Sequence, residues 1–223
     1  MLLKSVFLVY AFGIGAPLFA CGWWGDAEQT ADVNAIERSA SFDESAESMV
    51  RIGDRFRTGS GGLKDDAMAL SWYQKAAALG HSGAQYNLGR MYEHGIGVAV
   101  DNQRAAQSYL LAATQGDMHA QHHLGEMYRT GRGVARDEHE AWRWTLRSAE
   151  QGHVEVFTDL ASHYWHGRGV ARDPVLAYMW WWLAALNGNE NTQSAQAPIG
   201  IGLETEQINK AKELAQRKQA TWR

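Results

Sequence analysis

Glycines return every 36 residues along this chain, and that period constrains the fold before any other feature does. Steps of 36 residues lead from Gly59 to Gly95, Gly131 and Gly167. Neighbouring columns keep the same register. Gly53, Gly89 and Gly125 align with Ala161, and Phe56 aligns with Tyr92, Tyr128 and Tyr164. Asp65, Asp101, Asp137 and Asp173 form another column, and Ala69, Ala105, Ala141 and Ala177 a further one. Gly80, Gly116, Gly152 and Gly188 close each unit. A fixed period of about 20–50 residues marks stacked supersecondary units that bury their apolar faces against one another. The stretch "GRGVARD", found at 131–137 and again at 167–173, could also suggest a phosphate-cradling loop. Such a loop is needed once per site, whereas this turn recurs in one register, so it is read as architecture.

Within one unit the pattern is helical. In Gly83–Gly95, residues Ala84, Leu88, Met91 and Tyr92 recur at spacings of three and four, which places them on one helix face. Gly89 sits inside that helix, where a glycine costs about 1 kcal/mol relative to alanine, so close approach of the next helix is expected there. Gly95 and Gly97 then end the helix and supply positive φ. Asp101 caps a second helix, in which Ala105, Ala112 and Ala113 are the small inward positions. Val134 and Val170 plug the turn, and Arg132, Arg136, Arg168 and Arg172 are placed on the loop surface.

The composite pattern A-x-x-x-LG-x-x-Y-x-x-G-x-GV-x-x-D-x-x-x-A-x-x-W/Y-x-x-x-A-A-x-x-G resembles Sel1-like repeats, relatives of tetratricopeptide repeats. It covers residues 47–191 as four units: 47–82, 83–118, 119–154 and 155–191. The resemblance implies an all-α fold, a right-handed α/α superhelical solenoid of four 36-residue helix-turn-helix repeats. Unit one departs from the pattern with Gly62 in place of valine. Unit four departs with Ala161 in place of glycine and with "YMWWWLAALNGN" in its second helix. Terminal units are commonly altered as caps. Residues 192–223 are assigned as a C-terminal capping helix, with Thr205 as N-cap and Ile208, Ala211 and Leu214 spaced to pack on the last repeat.

The N-terminus reads as an export signal over residues 1–21. Lys4 precedes an uncharged apolar run from Val6 to Ala20, too short for a membrane span. Cys21, the sole cysteine, ends it. "LFAC" resembles a bacterial lipobox, which implies lipidation of Cys21 and attachment to a membrane; Gly22 resembles the outer-membrane sorting pattern. Ordinary signal cleavage, with Ala20 and Gly22 as small flanking residues and a soluble periplasmic product, is the alternative. Residues 22–46 are polar and acidic and read as a flexible segment with a short helix near Ala31–Ser39. A single cysteine leaves no internal disulfide. The net charge of −4 and a pI near 6.1 provide no concentrated basic face for nucleic acid.

Nine histidines require a metal site to be weighed. His119, His122 and His123 form "HAQHH", in which His119 and His123 stand one helical turn apart, a zinc-compatible spacing. No glutamate follows in the metalloprotease arrangement. His81 and His153 share a repeat position, and His163 and His166 lie on the next unit's first helix. All are read as turn and surface histidines, and no metal ligand or cofactor is assigned. Trp72, Trp144 and Trp180 share one column and are expected in the core. Trp142, Trp181 and Trp182 fall outside that column.

No G-x-S-x-G elbow is present. Some cysteine-rich Sel1-like proteins are linked with β-lactam binding or hydrolysis, and this chain lacks their cysteine pairs. No catalytic residue is assigned and the chain is read as a non-enzyme. By analogy with tetratricopeptide repeats, the groove would carry Asp54, Arg57, Tyr86, Arg90, Glu93, His122, Glu126, Arg129, Ser162 and Trp165. This stripe mixes both charges, which suits a protein or peptide partner. The expectation is a monomeric scaffold in the bacterial cell envelope. Two rival functions are a peptidoglycan- or polysaccharide-binding protein using Trp165, and a hydrolase.

Overall fold

The computed structural model describes residues 45–60, 62, 64–188 and 202–222. The segment expected as an export signal, Cys21, nearly all of the acidic segment and the short helix expected near Ala31–Ser39 fall outside those residues. Among the described residues, nine α-helices and one 3-10 turn follow in order. They are α1 Ala46–Thr58, α2 Asp66–Ala78, α3 Ser82–His94, α4 Asn102–Thr114 and α5 Met118–Thr130. Then come α6 Glu138–Glu150, the 3-10 turn η1 Val154–Val156, α7 Phe157–His166, α8 Pro174–Leu186 and α9 Thr205–Ala220. Each helix packs on its sequence neighbour, as the 36-residue period requires of a helical solenoid. Among the described residues no helix is long and apolar enough to cross a membrane.

The columns of the sequence become columns of bonds. Asp65, Asp101, Asp137 and Asp173 are extended N-caps, each accepting from two free backbone N–H groups of the helix that follows. The N–H of each aspartate donates to the carbonyl of Phe56, Tyr92, Tyr128 or Tyr164, every time at 2.9 Å. Each cap contributes about 1 kcal/mol and fixes where the second helix starts. Buried Gln85 and Gln121 add a second ladder, each accepting from an exposed glutamine at the end of its unit's second helix. Gln115 Nε2 donates to Gln85 Oε1 at 2.6 Å, and Gln151 Nε2 donates to Gln121 Oε1 at 2.8 Å.

Two glycine columns set the two packing distances. A Cβ on Gly89 would lie 2.5 Å from the Tyr109 ring, and one on Gly53 would lie 2.8 Å from Tyr73. The interior glycine therefore admits the second helix of its own unit. In units two, three and four the second glycine of the G-x-G turn acts between units. A Cβ on Gly97, Gly133 or Gly169 would lie 2.4, 2.0 or 1.9 Å from the carbonyl oxygen of Asp66, Asn102 or Glu138. Each of those carbonyls opens the second helix of the preceding unit. The repeated turn is thus an inter-unit contact, made backbone on backbone.

The core divides in two. One cluster runs from Ile52 to Trp144 and holds fully buried Phe56, Tyr73, Tyr109, Leu124 and Met127. The second runs from Ala149 to the C-terminus and is built on Phe157, Leu160, Trp180 and Leu183. Trp72, Trp144 and Trp180 are buried, as their column predicts. In α9, Ile208, Ala211 and Leu214 pack on this second cluster as expected, together with Ala215. Trp222 joins them: it stacks on Phe157 with centroids 5.3 Å apart and donates to the Glu150 carbonyl at 2.7 Å. The N-cap of α9 is Glu204, not Thr205. Its side chain and that of Gln207 form a reciprocal capping box.

Gly133→Ala and Gly116→Ala separate the two demands on a turn glycine. Both have positive φ, +71° and +97°, but nothing lies within 4 Å of a Cβ built on Gly116. Gly116→Ala should cost about 1 kcal/mol from the backbone alone. Gly133→Ala must also push apart two units and should cost at least about 3 kcal/mol. Denaturant unfolding of both variants checks this, and equal losses would remove the inter-unit role.

Candidate functional site

The first helix of each unit, α1, α3, α5 and α7, carries the stripe expected to face a partner. Asp54 and Arg57 pair at 3.6 Å in α1, and both are tied to the Tyr73 hydroxyl, which donates to Asp54 Oδ1 at 2.7 Å and accepts from Arg57 Nε at 3.2 Å. Burial, followed by the bond to Asp54, pushes the Tyr73 hydroxyl pKa well above its ordinary value. In α5, Arg129 grips Glu126 bidentately at 2.8 and 2.6 Å, holding that carboxyl below its usual range. Across from this pair, burial pushes the Asp159 carboxyl up, and Glu126 adds to the effect. Arg90 forms no ion pair among the described residues. It lies over the half-buried Tyr86 ring, 6.0 Å from its centroid. With Arg57, Lys64, Asp66, Asn87 and Met91 it lines a cleft of about 390 Å³ between units one and two. Ser162 is half-buried at the far end of the stripe. Trp165 is not an open stacking platform: the Arg172 guanidinium covers its ring at 5.3 Å, and Trp181 meets it at 5.8 Å.

Two of the histidines read as turn and surface residues, His153 and His163, are buried. His163 turns into its own helix-ending turn, its Nδ1 bonding to the Arg168 carbonyl at 2.8 Å. The ring that approaches "HAQHH" is His153, edge-on to His119 at 4.7 Å and to His122 at 5.4 Å. His122 is half-buried, and its pKa is depressed to about 4, by burial first and then by His123 and His153. It is therefore a neutral ring at physiological pH and part of the wall behind the stripe. His123 lies flat on Tyr109, with centroids 4.9 Å apart.

Glu93 is the stripe residue that the structure relocates. The period places it beside Arg57 and Arg129 in the groove, but its side chain is only 4% exposed. It accepts from the Tyr109 hydroxyl at 2.8 Å, faces His123 Nδ1 at 3.4 Å and pairs with Arg132 at 2.9 Å. Arg132 is thereby a buried-carboxylate partner and not a free loop cation. The bond to His123 leads the effects that hold the Glu93 carboxyl down to about 2, followed by those of Tyr109 and Arg132. Glu93 clamps unit two to unit three, because α5 carries His123 and the turn after it carries Arg132. A carboxyl depressed from 4.5 to about 2 contributes about 3 kcal/mol, present above its unfolded pKa and lost as pH falls toward 2. Glu93→Gln should therefore cost about 2–3 kcal/mol at pH 7, with a deficit that shrinks below about pH 4. Urea unfolding of both proteins at pH 7 and pH 3 measures it; a deficit unchanged between the two would mean the carboxylate charge is not what stabilises.

The Sel1 repeat profile matches residues 46–81, 82–117, 119–153 and 158–189. The break between the third and fourth matches falls on η1, where the helical register is interrupted. The chain is similar to a Sel1 repeat protein from Oxalobacter formigenes, with 29% identity and a TM-score of 0.66 over 86% of this chain and 83% of that one. It is also similar to c5321, a protective antigen of uropathogenic Escherichia coli strains displaying an SLR fold. There the identity is 27% and the TM-score 0.54, over 82% of this chain and 47% of that one. No curated protein matches the sequence. Four matched units, the bonded columns that define them and these structural neighbours together make the chain a member of the Sel1 repeat family.

Proposed function

We propose that this protein is an exported, non-catalytic scaffold that holds a protein partner of the bacterial cell envelope along the first-helix stripe. Sel1 repeat proteins are typically protein-interaction scaffolds, and that is the starting point. The observation that supports the reading is the unequal use of charge along the stripe. Glu93 is consumed inside, and Asp54, Arg57, Glu126 and Arg129 are paired with one another. Arg90 is left over in a cleft that also presents Arg57 and Lys64. A partner that brings a carboxylate to Arg90 gains a charge-assisted bond without breaking an existing pair. The alternating pairs on either side then act by complementarity, which selects partners more than it adds affinity. The apolar leader and Cys21 support export, and lipid attachment follows from the lipobox resemblance.

Trp165 supports the glycan reading poorly, because Arg172 already occupies its ring face. The discriminating experiment is crosslinking and pull-down from envelope fractions, with wild type and the Arg90→Glu, Arg129→Glu variant in parallel. The variant is first shown to be folded by its melting curve. The expected result is one envelope protein captured by wild type and reduced at least tenfold in the variant. Equal capture by both would remove the stripe from the binding surface.

A further inference from the structure

We infer that the junction of units three and four is a binding site for a divalent transition-metal ion of the zinc class, held by His119, His153 and Glu155. One ligand atom from each of these residues lies within 4.8 Å of the other two. His153 Nε2 faces Glu155 Oε2 directly. The His119 ring stands edge-on to His153 at 79°, with centroids 4.7 Å apart. Around a tetrahedral ion with bonds of about 2.1 Å, donor atoms are about 3.4 Å apart. Only small side-chain rotations separate the present arrangement from that one. His119 and Glu155 are exposed and free to make them.

The repeat itself shows that this is a departure and not the default packing. At two junctions, the residue just before a unit's first helical segment lies beside the residue 34 positions earlier: His81 beside Glu47 and His153 beside His119. In unit two that contact is an ordinary pair, His81 Nε2 to Glu47 Oε2 at 2.9 Å, while His81 Nδ1 caps the helix by accepting from Ala84 N–H. In unit four the earlier residue is His119, so a second imidazole stands where a carboxylate stood. The acid is supplied instead from the other side by Glu155. His153 makes no capping bond, because η1 replaces the first helical turn. Its Nδ1 is used by Ser148 Oγ at 2.8 Å, and Ser148 Oγ donates to the Met118 carbonyl at 2.8 Å. A serine hydroxyl has one proton, so with that proton on Met118 it accepts from His153 Nδ1–H. Nε2 is then the ring nitrogen presented to Glu155 and His119. Ser148 is itself an exception: the equivalent positions are Ala76, Ala112 and Ala184. A fully buried serine that fixes the ring of a histidine ligand is the outer-shell support that metal sites use.

Three protein donors of the two-imidazole, one-carboxylate type suit zinc and leave a fourth position for water. His119 and His153 open and close unit three, and Glu155 opens unit four, where the second core cluster begins. The ion would therefore clip unit three to unit four across the junction.

The test uses the full chain, purified without a histidine tag, stripped of metal and titrated calorimetrically with zinc chloride. Cobalt absorbance serves as a second readout. The expected result is one zinc per chain with a Kd of about 1 μM or tighter, a tetrahedral cobalt band and a melting temperature raised by zinc. His119→Ala and Glu155→Gln, both at exposed positions, should each weaken binding at least tenfold and abolish the band. Ser148→Ala keeps all three donors and should still weaken binding by about tenfold. His81→Ala should bind as wild type does. Absence of stoichiometric uptake by the folded chain overturns the site and leaves His153–Glu155 as a plain ion pair. Wild-type affinity in His119→Ala also overturns it.

Discussion

Every larger feature of this molecule depends on a contact between two stretches of backbone. At Gly97, Gly133 and Gly169 the second glycine of the G-x-G turn lies so close to the preceding unit that no side chain fits between them. The carbonyls it meets belong to Asp66, Asn102 and Glu138, each the first residue of a second helix. The same turn carries the aspartate that caps the next second helix. One short segment therefore fixes both where a helix starts and how far its unit stands from the last. A solenoid in which each unit touches only its neighbours needs this spacing to recur.

With spacing set by backbone, side chains between units are free to vary, and polar groups enter there. The buried glutamines bond unit to unit at two junctions, Gln85 donating to the Ala77 carbonyl and Gln121 to that of Ala113, and Glu93 gathers a tyrosine, a histidine and an arginine at one of them. A buried carboxylate is tolerated only where its partners replace water. Glu93 has three such partners, and its depressed pKa is the sign that they do so. The same inward turn leaves Arg90 without its neighbour in the stripe, so the interior network shapes the charge that the surface presents.

The period, the caps, the turn glycines and the tryptophan column were legible in the sequence because each rests on local backbone chemistry repeated in register. Glu93 was not, because its position says only that it lies near Arg90 and Arg129 in the stripe. Its burial depends on His123 and Arg132, residues from the next unit. The N-cap of α9 lies one residue before the one the sequence suggests, since Glu204 caps through a reciprocal bond with Gln207 that a reading of Thr205 alone does not show. The histidines read from sequence as turn and surface residues include two that are buried: His163 bonds within its own turn, and His153 turns toward Ser148. One signal was present. Serine breaks an otherwise unbroken alanine column at position 148, and a polar residue at a buried column position requires a partner.

Departures from the repeat are not scattered evenly. His119, Ser148, the lost cap at His153, the 3-10 turn and Phe157 in the glutamine column all fall at the junction of units three and four. There the glutamine ladder ends and one core cluster gives way to the other. A terminal cap explains changes in unit four that face α9, such as Trp222 stacking on Phe157. It does not explain His119 and Ser148, which belong to unit three. Those two residues face His153 from the repeat side of the junction, one beside its ring and the other bonded to it. Their common point is the ring of one buried histidine, so the altered junction is organised around a side chain and its ligand chemistry, while the regular junctions are organised around backbone.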